Sequence, residues 1–309
     1  MKLSIVSTLY YSCEYIDEFY ERISIPAREI AGDDYEIIFI NDGSPDEVWR
    51  KCLELVKIDK KIALIDLARN FGHHKAMMVG LSHAVGDRVF LIDCDLEERP
   101  EWLSEFYSQM RTTGADVIYG VQVGRKGKWF ERVSGKIYYK LFFFLTGQKL
   151  PESVVTARLM TRRFLKCLIQ HGEREMFLGG LFLLTGFQQL PIEVRKYSTS
   201  ETTYSLKMRF SLLVNSITSF SSLPLTLIFY TGFIISTLAG LNIGYLIVRK
   251  FFFSAPLSGW TSLIASIWFL GGVMILFLGV IGIYLSKVFI EVKQRPNTII
   301  REVINGRQY

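Results

Sequence analysis

The chain has 309 residues, enough for one large domain and additional segments. Half of its residues are hydrophobic and its mean hydropathy is +0.24, high for a wholly soluble protein; the excess lies in the last third. The net charge of +6 comes without a basic helix or a nucleic-acid motif, which argues against nucleic acid as partner and towards anionic lipid head groups or phosphate substrates. Cys13, Cys52, Cys94 and Cys167 are scattered, so neither a disulfide framework nor a zinc knuckle is expected and a reducing compartment fits. The N-terminus is too short an apolar run for a signal peptide.

In chain order, Leu3 to Leu9 reads as a buried strand. Ile16 to Ile30 has helical spacing, with Pro26 expected to end or kink it. Tyr35 to Ile40 is a second strand, and it runs into the turn Asn41-Asp42-Gly43-Ser44-Pro45-Asp46. Val48 to Val56 reads as a helix and Ile62 to Leu67 as a third strand, followed by Ala68 to Lys75 as a loop. In that loop His73 and His74 fit a loop role better than metal ligation. Ala76 to Val85 reads as a helix, and Val89 to Ile92 as a fourth strand. This alternation predicts an α/β fold with a doubly wound, mostly parallel sheet. No Gly-x-Gly-x-x-Gly follows the first strand, so a Rossmann dinucleotide site is not expected.

The fourth strand leads into Asp93-Cys94-Asp95-Leu96-Glu97. In an open α/β sheet the carboxyl ends of the strands are where ligands bind. Two carboxylates separated by one residue can share a hard cation such as Mg²⁺ or Mn²⁺, and Glu97 could join the same ion. Such a cation clamps a diphosphate and offsets its charge as it leaves.

Trp102 to Met110 reads as a helix and Asp116 to Val121 as a strand. A basic stretch follows: Arg125, Lys126, Lys128, Arg132, Lys136 and Lys140, interleaved with Trp129, Phe130, Tyr138 and Tyr139. That mixture suits a membrane–water interface. Residues 205–222 are partly amphipathic and read as a juxtamembrane helix. Leu223 to Val248 and Ser262 to Ser286 carry no charge; each exceeds the roughly 20 residues that span a bilayer. Two spans, joined by a short outer loop over 249–261, return the chain to its starting side. The tail 287–309, with Lys293, Arg295, Arg301 and Arg307, is then cytosolic under the positive-inside rule, as is the domain over 1–204.

Several motifs stand in a fixed order: Leu3-Ser-Ile-Val, Glu36-Ile-Ile-Phe-Ile-Asn-Asp-Gly-Ser44, Leu67-Ala-Arg-Asn-Phe-Gly72 and Ile92-Asp-Cys-Asp-Leu-Glu-Glu-Arg-Pro-Glu101. Ser219-Phe-Ser-Ser-Leu-Pro-Leu225, Gly282-Ile-Tyr-Leu285 and Glu291-Val-Lys-Gln-Arg-Pro296 complete the series. Together they resemble the family 2 inverting glycosyltransferases of GT-A fold. More narrowly they resemble the membrane-anchored polyprenyl-phosphate glycosyltransferases, akin to dolichol-phosphate mannose synthase and the bactoprenol glucosyltransferases of O-antigen modification. The chain departs from that pattern at Thr8-Leu-Tyr-Tyr-Ser12, which keeps only Tyr10, at Asn41, at Glu97, at Thr156-Ala157-Arg158, which keeps only the arginine, and at Ser200-Glu201-Thr202-Thr203-Tyr204.

The resemblance implies a nucleotide-sugar donor, a UDP-sugar with a glucose-like sugar, and a polyprenyl (undecaprenyl) phosphate acceptor. Asp42 and Tyr10 would meet the base or ribose. Asp93 would lie near ribose and metal, and Asp95 would hold the cation. Arg158, with Arg132, Ser134 and Lys136, would position the acceptor phosphate. Glu201 and Tyr204 would belong to a loop over the donor. The expected setting is the bacterial cytoplasmic membrane, crossed more than once, with the catalytic domain facing the cytosol and a homo-oligomer compatible with it. A processive polysaccharide synthase is the rival enzyme, but the Gln-x-x-Arg-Trp motif is missing. A non-catalytic membrane scaffold with a degenerate transferase domain is the rival from another class.

Overall fold

The computed structural model describes residues 2–123, 139–147, 151–174, 176–196, 214, 217–253 and 259–306. The chain divides into two units. The first comprises residues 1–139, 149–205 and 295–309, and the second 140–148 and 206–294.

The first unit is built on one eight-stranded sheet. Its strands are β1 (Leu3–Leu9), β2 (Tyr35–Asn41), β3 (Ile62–Leu67), β4 (Arg88–Leu91), β5 (Val117–Gln122), β6 (Val154–Thr161), β7 (Gln189–Val194) and β8 (Ile300–Asn305). They lie in the order β7-β5-β6-β4-β1-β2-β3-β8. β1 is central and all seven of its residues are buried. It pairs in parallel with β2 and β4, and β2 in parallel with β3. The carboxyl ends of these four strands therefore share one edge. β6 runs antiparallel to both β4 and β5, and β8 antiparallel to β3.

Helices cover both faces of the sheet. α1 (Ile16–Ala31), α2 (Val48–Ile58) and α4 (Trp102–Thr113) bury Ile16, Phe19, Ile23, Cys52, Val56, Leu103 and Phe106 in one core with Leu3, Ile5, Phe39 and Phe90. α3 (His73–His83) and α5 (Arg162–Ile169) pack on the strands from the other face, and a short helix, α6 (Leu178–Leu184), precedes β7. α1 runs unbroken through Pro26, where the sequence predicts an end or a kink. Proline inside a helix costs about 3 kcal/mol. Here its ring is buried along with Ile23 and Ala27, and Arg22 ties the helix to Glu101 through two hydrogen bonds of 2.8 and 2.9 Å. α3 begins at His73, three residues before the expected Ala76. Gly72, at φ 97°, reverses the chain and its carbonyl accepts from Lys75 and Ala76.

The second unit holds two long helices, α7 (Leu223–Phe253) and α8 (Trp260–Lys293). Both outrun the charge-free stretches of the sequence, taking in Arg249, Lys250 and Lys287. Leu223–Asn242 and Ser266–Lys293 are long and apolar enough to cross a membrane, and neither has any of its most apolar window buried. A core-helix reading would require burial. Tyr284 donates to Ser221 O at 2.6 Å and Lys287 to Ser219 Oγ at 2.8 Å, so polar contacts cluster where α7 begins. Of the expected juxtamembrane helix, residues 214 and 217–220 are helical and the others up to 216 lie outside the described residues.

The tail is not a free basic extension. Residues 300–305 form β8 and complete the sheet of the first unit. The strands from β6 onward were not foreseen from the sequence.

Candidate active site

The acidic segment leaves β4 at the edge where the parallel strands end. Ile92 N still donates to Val6 O at 3.1 Å, so the chain is held beside β1 up to Asp93. Cys94 is buried and anchors the segment. Leu96 has a φ of 57°, a conformation that strains a side-chain-bearing residue, and Glu97 N donates to Asp95 Oδ1 at 3.0 Å.

Asp93 Oδ1 is buried without a well-aligned hydrogen-bond donor among the described residues. His73 Nε2 stands 3.3 Å from it, and His73 Nδ1 shares a 3.1 Å hydrogen bond with Thr8 Oγ1. His73 thus links the ends of β1 and β4 from the first turn of α3. Burial is the largest influence on Asp93 and pushes its carboxyl up, but His73, Thr156 and Lys196 together hold it below the usual range. Burial and the neighbouring Asp93 push Asp95 up.

Glu97 and Glu98 have partners of their own. Lys196 Nζ is 2.9 Å from Glu97 and 3.9 Å from Glu98. Glu98 is buried and accepts from Thr156 N at 2.8 Å and Ala157 N at 2.7 Å, which pins the start of β6 to the acidic segment. Burial and the Asp93 charge push Glu98 up to about 8.

That shift carries a pH dependence. Glu98 holds its proton more tightly folded than unfolded. Its contribution to stability is therefore complete below about pH 4.5, the ordinary carboxyl range, and is lost as the pH rises towards 8. Glu98→Gln cannot ionise. Its melting temperature is expected to fall less between pH 5 and pH 8 than that of the wild type; parallel slopes would exclude this role.

Asp42 is buried and accepts from Phe71 N at 2.7 Å and Gly72 N at 3.1 Å. Both carboxylate oxygens thus hold the 68–72 loop against the 41–44 turn. Beside it, Asn41 Nδ2 donates to Asp66 Oδ1 at 2.7 Å and Asn41 Oδ1 accepts from Ser44 N at 3.0 Å. Tyr10 is half exposed, edge-on to Tyr11 at 4.7 Å between ring centroids.

Arg158 is buried on β6. Its Nε donates to Thr156 O at 3.0 Å and its Nη2 to Val155 O at 3.2 Å, and the guanidinium lies 3.7 Å over the Phe182 ring. Burial lowers it to about 10, against the pull of Glu98 and Asp93. The structure brings Asp93, Asp95, Glu97 and Arg158 into one neighbourhood and puts Asp42 in a neighbouring turn on the same edge. Arg132, Ser134, Lys136, Glu201 and Tyr204 lie outside the described residues.

Lys196 and Glu98 were missed from the sequence. Lys196 follows β7 with no motif around it, and Glu98 looks like a second surface acid after Glu97.

The residues present fit a divalent cation that takes part of its coordination from its ligand. Among the described residues no three His, Cys, Asp or Glu side chains form a cage. A Mg²⁺-type ion is commonly held by one or two carboxylates plus substrate phosphates. Asp93, whose buried Oδ1 faces His73 and has no well-aligned donor among the described residues, and Asp95 could supply that pair, whereas Glu97 already faces a lysine.

A family model described as Glycosyl transferase family 2 matches residues 4–169. A Mycobacterium tuberculosis (strain CDC 1551 / Oshkosh) protein assigned by name to the glycosyltransferases is 48% identical over 303 residues, covering 98% of this chain and 88% of its own length. The bactoprenol glucosyl transferase of Shigella phage SfII is 32% identical over 313 residues, covering 99% of each chain. Among solved structures, S. aureus TarS 1-349 in complex with UDP-GlcNAc superposes with a TM-score of 0.46 at 18% identity, over 71% of this chain and 66% of that one.

Proposed function

Because the chain belongs to glycosyl transferase family 2, we propose that it transfers a sugar, glucose first among candidates, from a UDP-sugar to undecaprenyl phosphate with inversion at the anomeric carbon. One observation carries the reading. The Asp93–Asp95 pair stands at the carboxyl edge of the sheet, the buried Asp93 Oδ1 facing His73 at 3.3 Å without a well-aligned donor among the described residues, in a chain that also bears two long unburied apolar helices.

The acceptor chemistry suits what the chain offers. A phosphate monoester is anionic near neutral pH, with a second pKa of about 6. One of its oxygens attacks the anomeric carbon, the bond from that carbon to the UDP oxygen breaks, and the electron pair leaves with UDP. No strong general base is needed, which is compatible with Thr156 standing where relatives of this resemblance carry an aspartate. Asp93 and Asp95 would hold Mg²⁺ or Mn²⁺, which when bound would offset the charge of the departing UDP. Asp42 shapes the pocket for base and ribose by fixing the 68–72 loop, and Tyr10 offers it an exposed ring. Arg158, Arg132, Ser134 and Lys136 supply cationic and hydroxyl positioning for the acceptor phosphate.

The setting proposed is the bacterial cytoplasmic membrane, with the sheet on the cytosolic side. Strands on both sides of the two-helix segment in sequence belong to one sheet. A membrane can then be crossed only an even number of times, which supports two spans. Confinement beside the lipid raises the effective concentration of the acceptor. Modification of a cell-surface polysaccharide such as O-antigen is the pathway proposed.

The test is a transfer assay with purified protein, undecaprenyl phosphate, Mg²⁺ or Mn²⁺ and a panel of UDP-sugars, followed by mass spectrometry of the glycolipid. One donor is expected to yield product, and EDTA to abolish it. Absence of product with every donor, together with absence of metal-dependent UDP binding, would leave a membrane scaffold as the better description.

A further inference from the structure

The segment after the second long helix reaches back to the donor side of the sheet. β8 pairs with β3, Ala63 opposite Asn305 through Asp66 opposite Glu302, and the register then slips so that Leu67 faces Ile300. Arg301 is the residue left over. A β-bulge of this kind bends the strand and re-aims the side chain it carries.

Here the bulge aims a guanidinium at the end of β3. Arg301 Nη1 donates to Asp66 Oδ2 at 2.8 Å and Nη2 to Ala68 O at 2.9 Å. Ala68 N donates to Ile299 O at 2.9 Å, so the tail grips residues 66–68 by backbone and side chain together. Asp66 is buried at 2% exposure, while Arg301 is largely exposed. A buried carboxylate needs such a partner, because its desolvation is otherwise uncompensated.

The contacts continue inward. The other oxygen of Asp66 accepts from Asn41, which in turn accepts from Ser44 N. The loop that starts at Ala68 carries Arg69 and Asn70 against Gly43, and Phe71 and Gly72 onto Asp42. Arg301 thus stands at the outer end of a hydrogen-bonded stack whose inner end is the 41–44 turn.

We propose that Arg301 is a positioning residue for donor binding, holding the 41–44 turn and the 68–72 loop in their binding form through Asp66 and Ala68. The inference rests on the reading of that turn as the site of the UDP moiety. Its consequence is that the donor pocket of the N-terminal part is finished by chain that follows both long helices. A basic residue that the sequence assigns to the positive-inside rule then has a specific geometric task.

The experiment is calorimetric titration of the full-length protein in detergent with UDP and Mn²⁺, with melting temperatures in parallel. Arg301→Gln is expected to weaken UDP about five- to tenfold, the size expected for losing a charge-assisted hydrogen bond. Arg301→Lys, which keeps the charge but not the forked geometry, is expected to weaken it about twofold. Asp66→Asn should weaken UDP as Arg301→Gln does, and the double variant should add little to either. In turnover, KM for the UDP-sugar should rise while KM for the lipid phosphate stays. Glu302→Gln, an exposed neighbour on β8, should leave UDP affinity unchanged. If Arg301→Gln lowers the melting temperature but not the affinity, or if Glu302→Gln weakens UDP equally, Arg301 is only a structural residue. Failure of the wild type to bind UDP would instead overturn the donor-site reading itself.

Discussion

Asp95→Asn is expected to lower sugar transfer about a thousandfold while leaving the fold intact. The size follows from the role. A diphosphate leaving group needs its developing charge offset, and removing one electrostatic stabiliser of that kind costs on the order of 3–4 kcal/mol of barrier. The choice of Asp95 over its neighbours follows from their partners. Glu97 is neutralised by Lys196 and Glu98 is spent on two backbone amides. Among the described residues Asp95 accepts from a single backbone amide on one oxygen, and burial and Asp93 push its carboxyl up. A second negative charge beside Asp93 is costly unless a cation joins the two. Asparagine keeps the shape and removes that charge. The check is the initial rate of glycolipid formation, with the melting temperature as control for folding. A rate within tenfold of wild type, with the same Mn²⁺ dependence, would remove Asp95 from the site. Asp93→Asn should be comparably inactive, but it also releases His73, so its melting temperature should move as well.

Gly43→Ala should be the most damaging single methyl group in the molecule's donor turn. Gly43 has φ 62°, and a Cβ there would lie 2.5 Å from Arg69 C and Asn70 N and 2.9 Å from Arg69 Cα. These are backbone atoms, so no rotamer change relieves the overlap. The left-handed conformation adds roughly 1–2 kcal/mol on its own. The cheapest relief is for the 68–72 loop to move away, and that withdraws the amides of Phe71 and Gly72 from Asp42. UDP affinity is expected to fall more than tenfold and stability by about 2–4 kcal/mol. Gly32→Ala is the natural comparison: it has φ 60° but nothing within 4 Å of the added methyl. It should cost only the backbone strain and leave UDP binding alone. Equal behaviour of the two variants would mean that the close approach at Gly43 has no bearing on the donor.

Both predictions concern residues whose place could be read along the chain, while their surroundings could not. Gly43 sits in a dense run of turn formers, and Asp95 follows a strand of four apolar residues. What surrounds each comes in part from elsewhere: Arg69 and Asn70 around Gly43, and Lys196 beside the acidic segment that holds Asp95. Arg158 shows the limit of a matched position. It stands where the resemblance expects a phosphate-binding arginine, yet two of its nitrogens bond backbone carbonyls and its plane lies on Phe182. Its distance from the acceptor is a matter of packing that no motif contains. Pro26 makes the same point for local structure. Its intrinsic penalty was read correctly as a residue property, and burial of the helix face around it outweighed that penalty.

By itself the sequence determined the alternation of strands and helices from Leu3 to Ile92, the acidic pair at the end of the fourth strand and the two long apolar helices. These are legible because they depend on side-chain period, run length and turn residues, all of them local. The tertiary structure alone decided that β8 closes the sheet, that His73 faces Asp93, that Lys196 neutralises Glu97, and that Arg301 reaches Asp66. Each of these joins residues far apart along the chain, and the pairings depend on strand order, register and one bulge. Strand order is set by the sum of burial over the whole sheet, so no local stretch of residues encodes it.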